Sequence, residues 1–307
     1  MASAPNDSPA FQGRSNRPLL GIAFMISGIL AFSLMDAISK YAAAFLPSIQ
    51  IMAVRSALIV PAMLAILFAT GQMASLRTRR PLAHLLRGII AAGSMLCFIE
   101  SLRLLPLATA IAISFAAPLI MTVFSIILLK EHVGIHRWTA VGVGFAGVAL
   151  IVGPEAGEGI MSLGAALSLA AATLYALGLT TVRWLSSTES EMSMMFSQCL
   201  IQLVIGWAGL LLLPGAFVPM SDNIWIAIVA ISVFLTAGQF LTFRAFRLAP
   251  VGAVAPFHYT ELVWATLIGW LFWNEWPPAY VWYGAMIVVA AGLYVIWRER
   301  VQARAAA

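Results

Sequence analysis

Glu261 is the residue in this chain whose surroundings most restrict what it can do. It stands in the middle of an apolar run from Val251 to Trp273, and at the centre of a bilayer a charge costs several kcal/mol unless it meets water or a partner. His258 precedes it by three residues, on the same face of a helix, and Tyr259 and Trp264 flank the pair. A carboxyl beside an imidazole can relay a proton or bind an amino group; it can also simply bond two helices together. Ser94, Thr173, Tyr175 and Gln239 hold similar mid-run positions, where a hydroxyl or amide binds a carboxylate or an amine, or bonds to a neighbouring helix. Phe98, Phe115, Tyr175 and Trp264 offer ring faces for stacking and serve equally as packing.

Further charges lie closer to the ends of apolar runs, where they cost less. Asp36 and Lys40, at i and i+4, are spaced to pair with each other as a structural ion pair or an outer gate. Glu100 and Arg244 either bind the charged ends of a zwitterion or gate a cavity. Arg55, inside a run, snorkels or pairs locally. Pro118 and Pro256 interrupt two helices and allow half-helices to rock. Glu131 and Glu275, each beside a helix end, read as structural fasteners. Gly142 to Gly147 spells a dinucleotide fingerprint by letter, but inside an apolar run it reads as close helix packing. His132 and His136 lack a third ligand in any recognisable spacing. Cys97 and Cys199 both sit in apolar runs, so no metal, cofactor or disulfide framework is expected.

The elements that must position these groups are membrane helices. With 62% hydrophobic residues, 9% charged and a mean hydropathy of +0.96, the chain has more apolar surface than a soluble core of its length can hide. Its net charge of +5 is scattered between apolar runs, which argues against nucleic acid as a partner. A crossing helix needs about 20 apolar residues, and the runs predict ten: Leu19 to Ser39, Ile49 to Thr70, Leu85 to Leu105, Leu107 to Leu129, Trp138 to Val152, Ser162 to Arg183, Met192 to Leu213, Ile224 to Phe246, Val251 to Trp273 and Ala279 to Trp297. Residues 1–18 read as a disordered cytoplasmic tail and 298–307 as a basic cytoplasmic tail. If the amino terminus is cytoplasmic, all 17 Lys and Arg except Lys40, Arg103 and the mid-run Arg55 fall on the inner side.

The chain also repeats itself. A shift of 144 residues sets Arg103 on Arg247, Pro106 on Pro250, Glu131 on Glu275 and Trp138 on Trp282; a shift of 143 sets Leu20-Gly21 on Leu163-Gly164 and Lys40 on Arg183. The repeats are 19–152 and 162–297, and five crossings in each turn the second copy upside down. The expected fold is therefore an all-α membrane protein of ten transmembrane helices in a 5+5 inverted repeat, with both termini cytoplasmic.

With its two Arg-Leu-x-Pro hairpins at Arg103 to Pro106 and Arg247 to Pro250, each followed by a Glu closing the next helix, the sequence resembles the EamA-type drug/metabolite transporter superfamily, and within it the YddG-type exporters of aromatic amino acids. The resemblance implies that the first, third, fourth, sixth, eighth and ninth helices surround a central cavity while the others brace them. It implies an exporter of small metabolites, amino acids including aromatic ones, working by alternating access in a bacterial-type plasma membrane. Glu261, His258, Tyr259, Ser94, Phe98, Phe115, Tyr175, Gln239 and Trp264 then contact substrate; Asp36, Lys40, Glu100, Arg244, Pro118 and Pro256 gate. Proton coupling is compatible with the acid. Two alternatives stand beside this: export of drug-like cations attracted by Glu261, and a membrane-embedded enzyme acting on a lipid-linked substrate, for which Glu261 and His258 alone are close enough to form a catalytic pair.

Overall fold

The computed structural model describes residues 17–129, 134–153, 159–185, 189–213, 215 and 217–305. The expectations placed on Glu131, His132 and residues 1–16 lie outside these. The described chain is helical: α1 (Pro18–Ala43), α2 (Ser48–Ala69), α3 (Pro81–Leu104), α4 (Leu107–Ser114), α5 (Ala117–Leu129), α6 (Ile135–Val152), α7 (Gly159–Leu185), α8 (Glu191–Leu212), α9 (Asp222–Leu248), α10 (Val251–Val254), α11 (Thr260–Trp273) and α12 (Ala279–Ala305), with 3-10 turns at Met73–Leu76 and Ala255–Tyr259. Most helices overrun the predicted apolar runs by a few residues, because their polar ends continue as helix beyond the apolar core. For the same reason α12 takes in most of the stretch expected to be a basic tail.

Among the described residues, seven segments are long and apolar enough to cross a membrane: α1, α2, α3, α4 with α5, α7, α8 and α9. The apolar stretches of α6 and α12 are shorter, and the predicted ninth run is broken into α10, a 3-10 turn and α11. Large apolar side chains such as Phe68, Leu211, Leu271 and Phe272 point outward, as a hydrocarbon surrounding requires. The protein is an all-α, multi-pass membrane protein.

Prolines set the two interruptions. α4 ends at Ser114 and α5 begins at Ala117, with Pro118 in its first turn; Pro256 lies in the 3-10 turn before α11. A proline has no N–H for the preceding turn and its ring crowds the carbonyl four residues back. At the far end of α11, Asn274 adopts a left-handed backbone with φ 55°, its N–H donating to the Trp270 carbonyl and that of Glu275 to the Gly269 carbonyl. This cap turns Glu275 back along the bundle.

α4 is the centre of the molecule. Every residue from Leu107 to Ile113 is buried, in a core shared with α5, α6, α7, α11 and α12. A helix that is apolar all round belongs inside. Around it, helices pair closely: α1 with α9, α3 with α7, α2 with α8 and α6 with α12. Glycines allow the approach. A Cβ on Gly147 of α6 would meet the Gly284 backbone oxygen of α12 at 2.8 Å, and one on Gly144 would meet Leu119 of α5, so two of the three fingerprint-like glycines serve packing.

Candidate functional site

The 3-10 turn at Ala255–Tyr259 runs directly into α11 and places Glu261 in that helix's first turn. Its side chain is 16% exposed, and its Oε2 lies 3.8 Å from Nε2 of the more open His258. Tyr175 of α7, 56% exposed, lies within electrostatic reach of Glu261. Asp36 of α1 is buried and feels the charges of both Glu261 and Arg55. Trp264, one turn beyond Glu261, has its indole Nε1–H buried without a partner, as is the Ser33 hydroxyl on α1. Two acids, a phenol and unpaired donors from three helices thus converge near the start of α11.

Other predicted residues serve packing. Phe115 is 6% exposed and meets Tyr259 edge to face at 5.2 Å. The Tyr259 hydroxyl abuts Gly292 of α12. The pair packs on the α4 core, as does Trp264. Phe98 packs on the same core. The Ser94 hydroxyl donates to the Ala171 carbonyl at 2.9 Å, fastening α3 to α7, and Thr173 bonds within its own helix to Leu169. Gln239 is exposed on α9.

The charge pairs differ from those that spacing predicts. Lys40 does not pair with Asp36: its ammonium takes both Glu275 oxygens at 2.7 Å and donates to the Leu105 carbonyl at 2.8 Å, over the Trp273 ring. Glu275 also accepts the Leu107 N–H at 3.1 Å. A carboxylate carried in by the Asn274 cap, beside a free carbonyl at the α3–α4 turn, outcompetes a neighbour on the same helix. Glu100 pairs with Arg103 one turn away at 3.1 Å, and Arg244 lies over Phe240. His136 meets the Tyr294 hydroxyl. Among the described residues no three His, Cys, Asp or Glu side chains gather as metal ligands.

Two arrangements escape sequence reasoning. Arg55 does not snorkel; Nη2 donates to the Met95 sulfur at 2.8 Å and to Gln202 at 3.3 Å, and Nε is buried without a partner. Its cost in an apolar run was the available signal. His84 (3% exposed), in the first turn of α3, sits between the Ser197 hydroxyl of α8 at 2.6 Å and Glu189 (1% exposed) of the loop before α8 at 3.2 Å. Burial pushes the Glu189 carboxyl up, but the Arg79 backbone N–H, His84 and Thr78 together hold it below the usual carboxylate range. These partners are more than 100 residues apart in sequence, so no local pattern announces them.

Known proteins place this arrangement. Over 94% of this chain and 97% of the other, the sequence is 30% identical to a riboflavin transporter of Vibrio cholerae. It is 27% identical to an S-adenosylmethionine uptake transporter of Rickettsia prowazekii, covering 92% of this chain and 94% of that one. A pseudopaline exporter of Pseudomonas aeruginosa is 27% identical over 88% and 94% of the two chains. A solved crystal structure at 18% identity superposes with a TM-score of 0.62, covering 92% of this chain and 98% of that one, so the fold is shared. The pattern of the EamA-like transporter family matches twice, over residues 19–153 and 162–298. The chain therefore belongs to the EamA-like transporter family, whose members move small metabolites across membranes rather than transform them.

Proposed function

We propose that this transporter carries a flat-ringed organic metabolite through a cavity at the middle of the bundle, open to one side of the membrane at a time. An open phenol, Tyr175, within electrostatic reach of the mostly covered Glu261 carries the reading: an acid that is costly in the bilayer is met by an accessible polar side chain, as a water-filled space between the helices provides. An acid with Tyr175 and Trp264 around it suits a ring bearing an amino or cationic group. Riboflavin and S-adenosylmethionine, the cargoes named for the relatives, each carry a flat ring system, as do the aromatic amino acids of the YddG-type exporters; S-adenosylmethionine and the amino acids add the cationic group that an acid favours. Export of amino acids is one member of this class.

The mechanism rests on a 5+5 inverted repeat. Gly21 of α1 packs on Ala249 at the end of α9, and Gly164 of α7 packs on Leu105 at the end of α3. The shifts of 143 and 144 residues carry one contact onto the other. Two matching halves with opposite orientation rock about a shared midplane site. With ten crossings and both termini cytoplasmic, as the distribution of Lys and Arg favours, Lys40 and Glu275 lie at the outer face and latch it. Glu261 and Asp36 are the groups that can couple a proton to the cycle.

Counterflow in proteoliposomes with riboflavin, S-adenosylmethionine, tryptophan and phenylalanine, with and without a pH gradient, tests the proposal. The wild type moves at least one of them saturably, and Glu261→Gln lowers that transport by about tenfold or more, the worth of a charged hydrogen bond. Transport of none of the four by the wild type sinks the substrate class. A Gln variant with wild-type rates and pH response removes Glu261 from the site.

A further inference from the structure

Arg55 is a cation that the packing leaves under-supplied. It lies seven residues into α2, about 10 Å from the helix end at 1.5 Å per residue. A guanidinium has five N–H donors. Here a thioether, a weak acceptor, and a long bond to Gln202 are its hydrogen-bond partners, and Nε has none. Among the described residues no carboxylate lies within salt-bridge distance of it. Yet Asp36 of α1 lies within electrostatic reach of both Arg55 and Glu261. A charged arginine at this depth belongs beside an anion or a wet cavity, and guanidinium is shaped to grip a carboxylate with two parallel bonds.

We propose that Arg55 receives the carboxylate of the transported molecule, whose amino group sits by Asp36 and Glu261. This rests on the transport reading above and narrows it: the cargo is a ring-bearing amino acid or a derivative that keeps the α-amino carboxylate. A cation, then two acids, then aromatic rings match ammonium, carboxylate and ring in one molecule. α2, expected only to brace the bundle, supplies the group that distinguishes such a cargo from an amine of the same shape.

The test compares ligands that differ only in the carboxylate, using the full-length protein in proteoliposomes: tryptophan against tryptamine, and S-adenosylmethionine against its decarboxylated form. The wild type prefers the carboxylate-bearing member of a pair. Arg55→Gln raises that member's half-saturating concentration by about tenfold or more, the usual loss for a charge-assisted bond, and leaves the amine within about twofold; Arg55→Lys falls between. Equal weakening of both members makes Arg55 structural and overturns the proposal. So does a wild type indifferent to the carboxylate, a result that needs no variant to fold. If riboflavin is moved and Arg55→Gln leaves its transport unchanged while no amino-acid ligand is carried, Arg55 loses this role and the transport reading stands. A wild type that moves none of these ligands overturns both.

Discussion

An ammonium within a bundle needs acceptors that do not move. Lys40 has three, two oxygens of Glu275 and one carbonyl, at distances of 2.7 to 2.8 Å. Removing one partner of such a pair strands the other's charge, which costs more than the pair itself is worth. Glu275→Gln is therefore expected to lower stability by about 3 kcal/mol, measured as the midpoint of thermal unfolding in detergent. The double variant Lys40→Met with Glu275→Gln should recover most of the loss; a double variant as unstable as the single would show that the charge was not at issue. Glu261 is held differently, by a distant imidazole, so Glu261→Gln should change transport far more than stability. That contrast separates a fastening acid from a working one.

Among the elements, α6 and α12 depend on small residues at their crossing. Gly147→Leu would drive a side chain into the Gly284 backbone and Ile287, and overpacking of this kind costs about 1–3 kcal/mol. Gly142, on the same helix, has open space where a Cβ would go; Gly142→Ala should be neutral or stabilise by up to about 1 kcal/mol, because alanine favours helix. Thermal unfolding of the two variants reads the difference, and similar effects from both would remove the crossing as the cause. The helices themselves were legible, since apolar runs of crossing length admit little else. The broken ninth run was legible only as a proline. That Pro256 gives a 3-10 turn, and so sets Glu261 at a helix start, depends on the packing of the turn against α1.

For the whole molecule, the long-range partners are what sequence cannot give. Spacing offered Asp36 for Lys40, and only the fold brings Glu275; mid-run position marked Phe115 and Tyr259 singly, and only the fold shows that they meet edge to face. The His84–Glu189–Ser197 cluster joins segments far apart in the chain, and its behaviour with pH follows from Glu189. A carboxyl held below its usual range stabilises the folded form above the unfolded value, near about 4.3, and loses that contribution as pH falls through the lower folded value. Hydrogen exchange of residues 73–80 and 189–193 should therefore stay slow from neutral pH down to about 4.3 and quicken below it. Protection that is unchanged across this range would remove Glu189 as the fastening group.

The corner where Lys40 meets Glu275 ties four pieces of chain at one point: the end of α1, the carbonyl that closes α3, the first N–H of α4 and the cap of α11. None of these can slide alone without breaking a bond held by another. In the alternating-access cycle proposed above, opening on that side is a snap between two states rather than a graded breathing, its rate set by release of the whole knot and not by the width of any passage behind it.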